Sequence, residues 1–186
     1  MPRSRRVILP FIVLLAVLFL PSTVFAQYLG AARCRACHLP ETKSWEPTKM
    51  SKAFELLKPG VAAEKKIAKK LDPKKDYTHD SQCLPCHVTG YGKPGGFESI
   101  EKTPALAGVQ CEACHGAGGG YLKPDLMSIK NKEYKRATLV AAGLNVVDAK
   151  TCQACHNPKS PFYTPFDYAA RKKQGVHEVL PLKYSH

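Results

Sequence analysis

The sequence lacks an apolar segment long enough to cross a membrane. Its longest apolar run, residues 7–20 (VILPFIVLLAVLFL), has 14 residues, whereas a transmembrane helix needs about 20. Basic MPRSRR precedes the run, and PSTVFA, with small residues at Val24 and Ala26, follows it. This order is typical of a secretory signal peptide that is cleaved after Ala26. We expect an exported protein, periplasmic or extracellular, with residues 27–186 as one domain. Retention of residues 7–20 as a membrane anchor is the alternative.

Acidic side chains are also scarce. The chain has 28 Lys and Arg against 15 Asp and Glu, a net charge of +13. Removal of residues 1–26 takes away three arginines and leaves 25 basic against 15 acidic side chains, or +10. Such an excess suits nucleic acid, an acidic membrane surface or an acidic partner protein. The sequence contains no nucleic-acid-binding module, so we expect an acidic protein partner and no nucleic acid.

No cysteine stands outside a C-x-x-C pair, and a histidine follows each of the four pairs. The residues are Cys34, Cys37 and His38; Cys83, Cys86 and His87; Cys111, Cys114 and His115; Cys152, Cys155 and His156. C-x-x-C-H is the attachment motif of c-type haem. The two thiols bond to the two vinyl groups of one porphyrin, and the adjacent histidine binds its iron. The sequence therefore predicts four covalently attached haem c groups.

Three other uses of the cysteines fit the sequence less well. Four pairs would build two structural zinc sites, but zinc gives no reason for a histidine after every pair. A disulfide framework suits an exported chain, yet four C-x-x-C loops make an unusual one. A thioredoxin-like redox motif would occur once. Haem attachment accounts for all eight cysteines and all four adjacent histidines.

A strand-like alternation of polar and apolar residues is absent, and the haems leave little room for a protein core. The predicted mature chain has about 40 residues per haem. We therefore expect a mainly α protein with little regular secondary structure, in a compact multihaem c-type cytochrome fold whose core is the stacked haems. Apolar spacing and stop signals predict short helices at 41–57, 62–71, 131–144 and 165–175.

Second axial ligands for the four irons are in short supply. Outside the motifs the histidines are His79, His177 and His186, and the predicted mature chain adds Met50 and Met127. Methionine is the usual substitute for histidine at haem iron. We expect His79 and His177 to bind iron, whereas His186 is the terminal residue, where chains fray. Which distal residue serves which iron stays open. One more ligand is needed, from Met127, His186 or another subunit, or one iron stays five-coordinate.

Beyond the bare motifs, longer segments resemble the multihaem cytochrome c-554 family. They are YLGAARCRACHLPETKSWEPTKMSKAFELLKPG, CLPCHVTGYG, GVQCEACHGAGGGY, TCQACHNPKSPF and FDYAARKKQGVH. They occur in the family's order along essentially all of residues 27–186. The resemblance implies an exported tetrahaem electron carrier with little secondary structure and closely stacked haem pairs.

The resemblance also bears on the distal ligands. The family commonly has a distal histidine five residues after the tryptophan, where this chain has Met50. It therefore implies one His/Met haem, which should have the highest potential of the four. His177 matches the family's histidine near the C-terminus, and His79 matches a position that is sometimes histidine. Tyr121 occupies a place where members often have a further histidine.

We expect an electron-transfer protein that relays electrons through its four haems, with no catalytic residue of its own. One alternative is a reductase that acts on nitric oxide, hydroxylamine or nitrite at a five-coordinate haem. Another is a subunit of an electron-conducting filament, in which haems stack across protomers. A membrane-anchored quinol oxidase subunit is a further alternative and needs residues 7–20 to be retained.

Overall fold

The computed structural model describes residues 27–181 apart from Ile129 and Tyr134. The predicted signal peptide and His186 lie outside the described residues. Within them, the secondary structure is helical, without a named strand, and the helices are short. The α-helices are α1 (Ala31–Arg35), α2 (Leu39–Trp45), α3 (Ala63–Ala68), α4 (Leu84–His87), α5 (Cys111–His115), α6 (Arg136–Ala141), α7 (Ala149–Gln153) and α8 (Tyr168–Gln174). The prediction of a mainly α fold with little regular structure is confirmed.

Two 3-10 helices, Phe54–Leu57 and Pro104–Leu106, add to these elements. One isolated antiparallel bridge joins Val88 to Ala107. Over the residues that the structure describes, none of the helices has the length and apolar character needed to cross a membrane.

The prediction of one helix over 41–57 is wrong. Helix α2 ends at Trp45, and the segment returns to helical structure only in the 3-10 helix at Phe54–Leu57. Pro47 cannot donate a backbone hydrogen bond within a helix. The hydroxyl of Ser51 lies 2.7 Å from the carbonyl of Glu46 and 2.8 Å from that of Thr48, and its single proton can bond to either. Such local side-chain bonds compete with helical ones, so turns replace the middle of the predicted helix.

The other three predicted helices are present but shorter. Helix α3 lies within 62–71, and the left-handed backbone of Lys70, with φ of 58°, follows its end. Helix α6 begins five residues later than predicted, after the side chain of Asn131 has bonded to backbone carbonyls that precede it. Helix α8 begins after Asp167, whose carboxylate caps it at 3.1 Å, and ends at Gly175.

A small hydrophobic cluster lies beside the second motif. Its buried members are Phe54, Leu57, Tyr77, Leu84, Val88, Phe97 and Leu106. The rings of Phe54 and Phe97 pack with centroids 5.7 Å apart. Leu84 lies within the second motif and Val88 directly follows it. The protein part of the core is therefore concentrated at one of the four motifs.

A buried carboxylate joins the first motif to the third. Glu112, between the two cysteines of the third motif, is only 2% exposed. Its oxygens accept backbone N–H groups from Leu29 at 2.9 Å, Gly30 at 2.7 Å and Gly118 at 2.6 Å. Leu29 and Gly30 immediately precede α1, which carries the first motif. Glu112 thus holds α1 against the loop that follows α5.

Gln110 reinforces the same junction. Its side-chain oxygen accepts the N–H of Ala31 at 2.6 Å. Its side-chain nitrogen donates to the carbonyls of Ala105 and Ala107, at 2.7 and 2.8 Å. Gly30 is needed here, because its φ is +81° and a Cβ would lie 2.8 Å from the Ala105 carbonyl oxygen. Backbone and amide groups at this junction therefore fit closely.

We expect Glu112→Gln to lower the free energy of unfolding by about 2–3 kcal/mol, because charge-assisted hydrogen bonds weaken and an amide cannot accept on both sides. Guanidinium denaturation followed by circular dichroism measures the change. The matched control is Glu101→Gln, since Glu101 is exposed and a surface change there should stay within about 0.5 kcal/mol. Equal small effects of both substitutions would contradict the assigned role of Glu112.

Candidate haem sites

Each C-x-x-C-H motif lies on or next to one helical turn. The N–H of His38 donates to the carbonyl of Cys34 at 2.9 Å, and the N–H of His156 donates to that of Cys152 at 3.0 Å. Residues three and four apart share one face of a helix. A turn at each motif therefore presents two thiols and one imidazole to the same side, as attachment of one porphyrin and ligation of its iron require.

The cysteine chemistry fits haem c. All eight cysteines are free thiols, so each pair is available for two thioether bonds. Among residues 27–181 that the structure describes, no three or more His, Cys, Asp or Glu side chains gather as a single metal site would need. A zinc site draws four ligands to one point. The arrangement therefore fits four separate porphyrin attachments better than two zinc sites.

The second motif shows how a proximal histidine is held. The carbonyl of Ala53 accepts a hydrogen bond from Nδ1 of His87 at 2.6 Å. A carbonyl can only accept, so Nδ1 carries the proton and Nε2 is left to bind iron. Such a bond also orients the ring. Burial lowers the pKa of His87, which favours the neutral imidazole that metals bind.

Thiols of different motifs meet in two places. Cys34 of the first motif lies close to Cys111 of the third, and this proximity raises the pKa of Cys34 and lowers that of Cys111. Cys86 of the second motif and Cys155 of the fourth make a similar pair, in which the pKa of Cys86 falls to about 7 and that of Cys155 rises. The Cys155 thiol also lies 3.9 Å from the carbonyl of Pro85, within the second motif. The first motif therefore adjoins the third, and the second adjoins the fourth.

Asn145 joins these two pairs. Its backbone N–H donates to the carbonyl of His115 at 2.9 Å. Its side-chain nitrogen donates to the carbonyl of Cys114 at 2.8 Å and to the hydroxyl of Thr151 at 3.3 Å. Thr151 belongs to α7, and the fourth motif begins within this helix, at Cys152. The motifs thus adjoin one another in the spatial order first, third, fourth, second, which differs from their order in the chain.

His177 lies beside the histidine of the third motif. The ring centroids of His115 and His177 are 6.3 Å apart, with the ring planes at 41°. Two imidazoles on opposite sides of one metal ion have centroids about 6 Å apart, given metal–nitrogen bonds of about 2.0 Å. Nδ1 of His177 lies 2.6 Å from the carbonyl of Glu178, which leaves Nε2 free. Burial lowers the pKa of His115, and the neighbouring His177 lowers it further.

The other candidate ligands have different surroundings. His79 is exposed and lies near Asp76 and Glu101. Met50 is half-buried, and its carbonyl accepts the N–H of Val109 at 2.9 Å, just before the third motif. Of the distal candidates within the described residues, His177 is the one that the structure brings against a motif histidine.

Tyr121 is buried, and its hydroxyl donates to the carbonyl of Gly116 at 3.0 Å. Burial raises the pKa of this phenol. The residue therefore packs against the loop after the third motif and stabilises it through a hydrogen bond, in the place where related chains often have histidine.

Sequence reasoning missed the ring that packs on the fourth proximal histidine. Phe166 stacks on His156 with centroids 4.3 Å apart and planes at 18°. The aromatic residues of FYTPF, a few positions after the motif, were the available signal. Stacking of this kind restrains the orientation of the imidazole, and therefore the direction from which it can meet an iron.

Comparisons with known proteins show which family this chain resembles. A family model described as "Cytochrome c554 and c-prime" matches residues 33–116. Cytochrome c-554 of Nitrosomonas europaea is 39% identical over 155 residues, which are 76% of this chain and 66% of that protein. The match thus spans slightly less than two thirds of the curated relative's length. The solved reduced state of cytochrome c554 from the same organism is 37% identical, with a TM-score of 0.63, over 81% of this chain and 78% of the other.

Proposed function

This chain belongs to the cytochrome c554 family, and on that premise we propose that it is an exported protein that relays electrons through four covalently attached haems. The family resemblance seen in the sequence is confirmed, and the chain is a c-type cytochrome with haem c bound through its cysteines. The observation that carries the relay is the contact between motifs. Each motif adjoins at least one other, in the order first, third, fourth, second.

In the proposed mechanism the chain holds the haems and tunes them. Each cysteine pair would hold one porphyrin, and His38, His87, His115 and His156 would each bind one iron. Bound haem supplies reversible one-electron chemistry at iron. The residues between motifs, Asn145 above all, keep neighbouring sites close, and axial ligands and nearby charges set their relative potentials. This use of the chain needs no catalytic acid or base.

The distal ligands form part of the proposal. His177 would bind the iron of the third motif, because its ring centroid lies 6.3 Å from that of His115, a separation that leaves room for one metal ion between them. Met50 and His79 remain proposed ligands of other irons on the strength of the sequence. With His177 and the four proximal histidines they make seven residues for eight axial places. One iron would therefore have its proximal histidine but no distal ligand from this set.

Export and partner follow from the sequence pattern. Residues 1–26 are proposed to act as the signal peptide and residues 27–186 as the mature tetrahaem domain. Haem propionates neutralise part of the basic excess. The remaining lysines would attract an acidic redox protein and speed the encounter. We propose such a protein as the partner.

We expect four haems per chain, because each of the four motifs attaches one. A pyridine haemochrome assay on the purified protein, set against its protein concentration, gives this ratio. In Cys152→Ala/Cys155→Ala we expect three, since the fourth haem can no longer form thioethers. A ratio of four in the double variant, or below four in the unaltered protein, would contradict the assignment.

We expect His177→Ala to convert one ferric haem from low spin to high spin, because the iron of the third motif loses its distal imidazole. Low-temperature electron paramagnetic resonance of the oxidised protein counts the two spin states. Added imidazole should restore the low-spin signal. Val176→Ala, at the adjacent position, is the matched control and should leave the spectrum unchanged. An unchanged low-spin count in His177→Ala would exclude His177 as this ligand.

The relay and the reductase alternative differ in what oxidises the reduced protein. We expect the dithionite-reduced protein to pass its electrons rapidly to an oxidised c-type cytochrome in stopped flow. Nitric oxide, hydroxylamine and nitrite should give no sustained turnover when an excess of reductant is present. Continuous consumption of any of the three, measured by an electrode or by product analysis, would overturn the relay in favour of the reductase.

A further inference from the structure

Helix α3 contains a buried lysine. Lys66 is 5% exposed, although Lys65 of the same helix and Lys69 directly after the helix are exposed. Its Nζ donates to the carbonyl of Lys58 at 2.8 Å. The same nitrogen lies 5.2 Å from the ring centroid of Tyr77, within the range of a cation–π interaction. Lys66 is thus a cation held by one carbonyl and one aromatic face.

The charge of Lys66 is not neutralised by an ion pair. Within the part of the chain that the structure describes, no carboxylate lies within 4.0 Å of its Nζ. The other ammonium over the Tyr77 ring, that of Lys75 at 4.7 Å, is paired with Asp80 at 3.2 Å. Asp76 is exposed to solvent. Because a buried charge without a direct ion pair is costly, the position of Lys66 calls for a functional explanation.

The packing of Tyr77 connects Lys66 to the second motif. Tyr77 belongs to the hydrophobic cluster that also contains Leu84 and Val88, on either side of His87. The carbonyl of Tyr77 accepts the N–H of Asp80, whose own carbonyl accepts the N–H of Cys83 at 2.9 Å. Through the Tyr77 ring, Lys66 therefore lies against the cluster on which the second motif packs.

We propose that Lys66 is the residue that raises the reduction potential of the haem held by Cys83, Cys86 and His87. This inference rests on the proposed four-haem relay. Reduction of ferric iron adds one electron and so lowers the positive charge of the site by one. A fixed cation in a poorly solvated region stabilises the reduced form relative to the oxidised form. No proton transfer or other reactant is involved.

The second haem lies at an end of the relay, so a raised potential there affects the direction of electron flow. The second motif is at one end of the order first, third, fourth, second, so its haem has one neighbour. A raised potential at an end site draws electrons along the relay towards it. Lys66 would therefore set the direction of electron flow through its charge alone, without contacting a substrate.

The test compares the four midpoint potentials in matched variants. Lys66→Met removes the buried charge, and Lys66→Gln removes it but keeps a donor for the Lys58 carbonyl. Lys65→Met removes an exposed charge from the same helix, and Lys66→Arg keeps the charge. Potentials are measured by redox titration followed by electron paramagnetic resonance. The signal that disappears in Cys83→Ala/Cys86→Ala identifies the second haem.

We expect Lys66→Met and Lys66→Gln to lower the potential of the second haem alone. The equilibrium constant for its reduction should fall by about tenfold, which is about 59 mV for one electron. Lys66→Arg and Lys65→Met should leave that potential close to its original value. Four haems per chain and an unchanged circular dichroism spectrum show that each variant is folded.

Two results would overturn the role of Lys66 while the relay stands. One is an unchanged second potential in a folded charge-removing variant with four haems. The other is an equal decrease of all four potentials that Lys65→Met reproduces, since this would be the effect of net charge. Failure of the relay itself looks different: the unaltered protein would then have fewer than four haems or would not pass electrons to a protein acceptor.

Discussion

The structure depends on the convergence of three backbone N–H groups on the carboxylate of Glu112. This side chain lies within the third motif, and the groups that it binds lie just before the first motif and just after the third. Sites far apart in the chain are therefore held side by side with little help from secondary structure. The contact between Cys34 and Cys111 follows from this junction, and it makes the first and third motifs a pair.

The second pair is built differently. The second motif packs on the hydrophobic cluster, and its Cys86 meets Cys155 of the fourth motif. Asn145 then links the third motif to the fourth through backbone and side-chain bonds. Hydrogen bonds to Glu112 hold the first motif in place, whereas apolar packing holds the second. The two end sites therefore differ in dielectric surroundings, and such differences separate the potentials of haems with the same attachment chemistry.

The parts of the molecule that could be predicted are those with a local cause. The C-x-x-C-H spacing identifies eight cysteines and four histidines, because attachment and proximal ligation occur within five consecutive residues. Helix α8 follows its own cap and stop signals, Asp167 and Gly175. The helix predicted over 41–57 does not form, because the hydrogen bonding of the Ser51 hydroxyl and the geometry of Pro47 outweigh the apolar spacing of the segment.

What could not be predicted depends on distant contacts. The third motif's histidine meets His177 only because the chain after α8 returns to it, and periodicity carries no sign of this. Glu112 is one of the two variable residues of a C-x-x-C-H motif, so the motif itself gives no sign of its structural role. Lys66 belongs to a helix whose many lysines indicate a solvated surface, so its burial against Tyr77 is apparent only in three dimensions.

The central claim is the spatial order of the four haem sites. A crystal structure of the haem-loaded protein, with irons located by anomalous scattering, tests it most directly. The account predicts four irons whose successive neighbours belong to the first, third, fourth and second motifs, with His115 and His177 on opposite sides of one iron. Irons that follow one another in chain order, or a first motif nearest to the second, would contradict it.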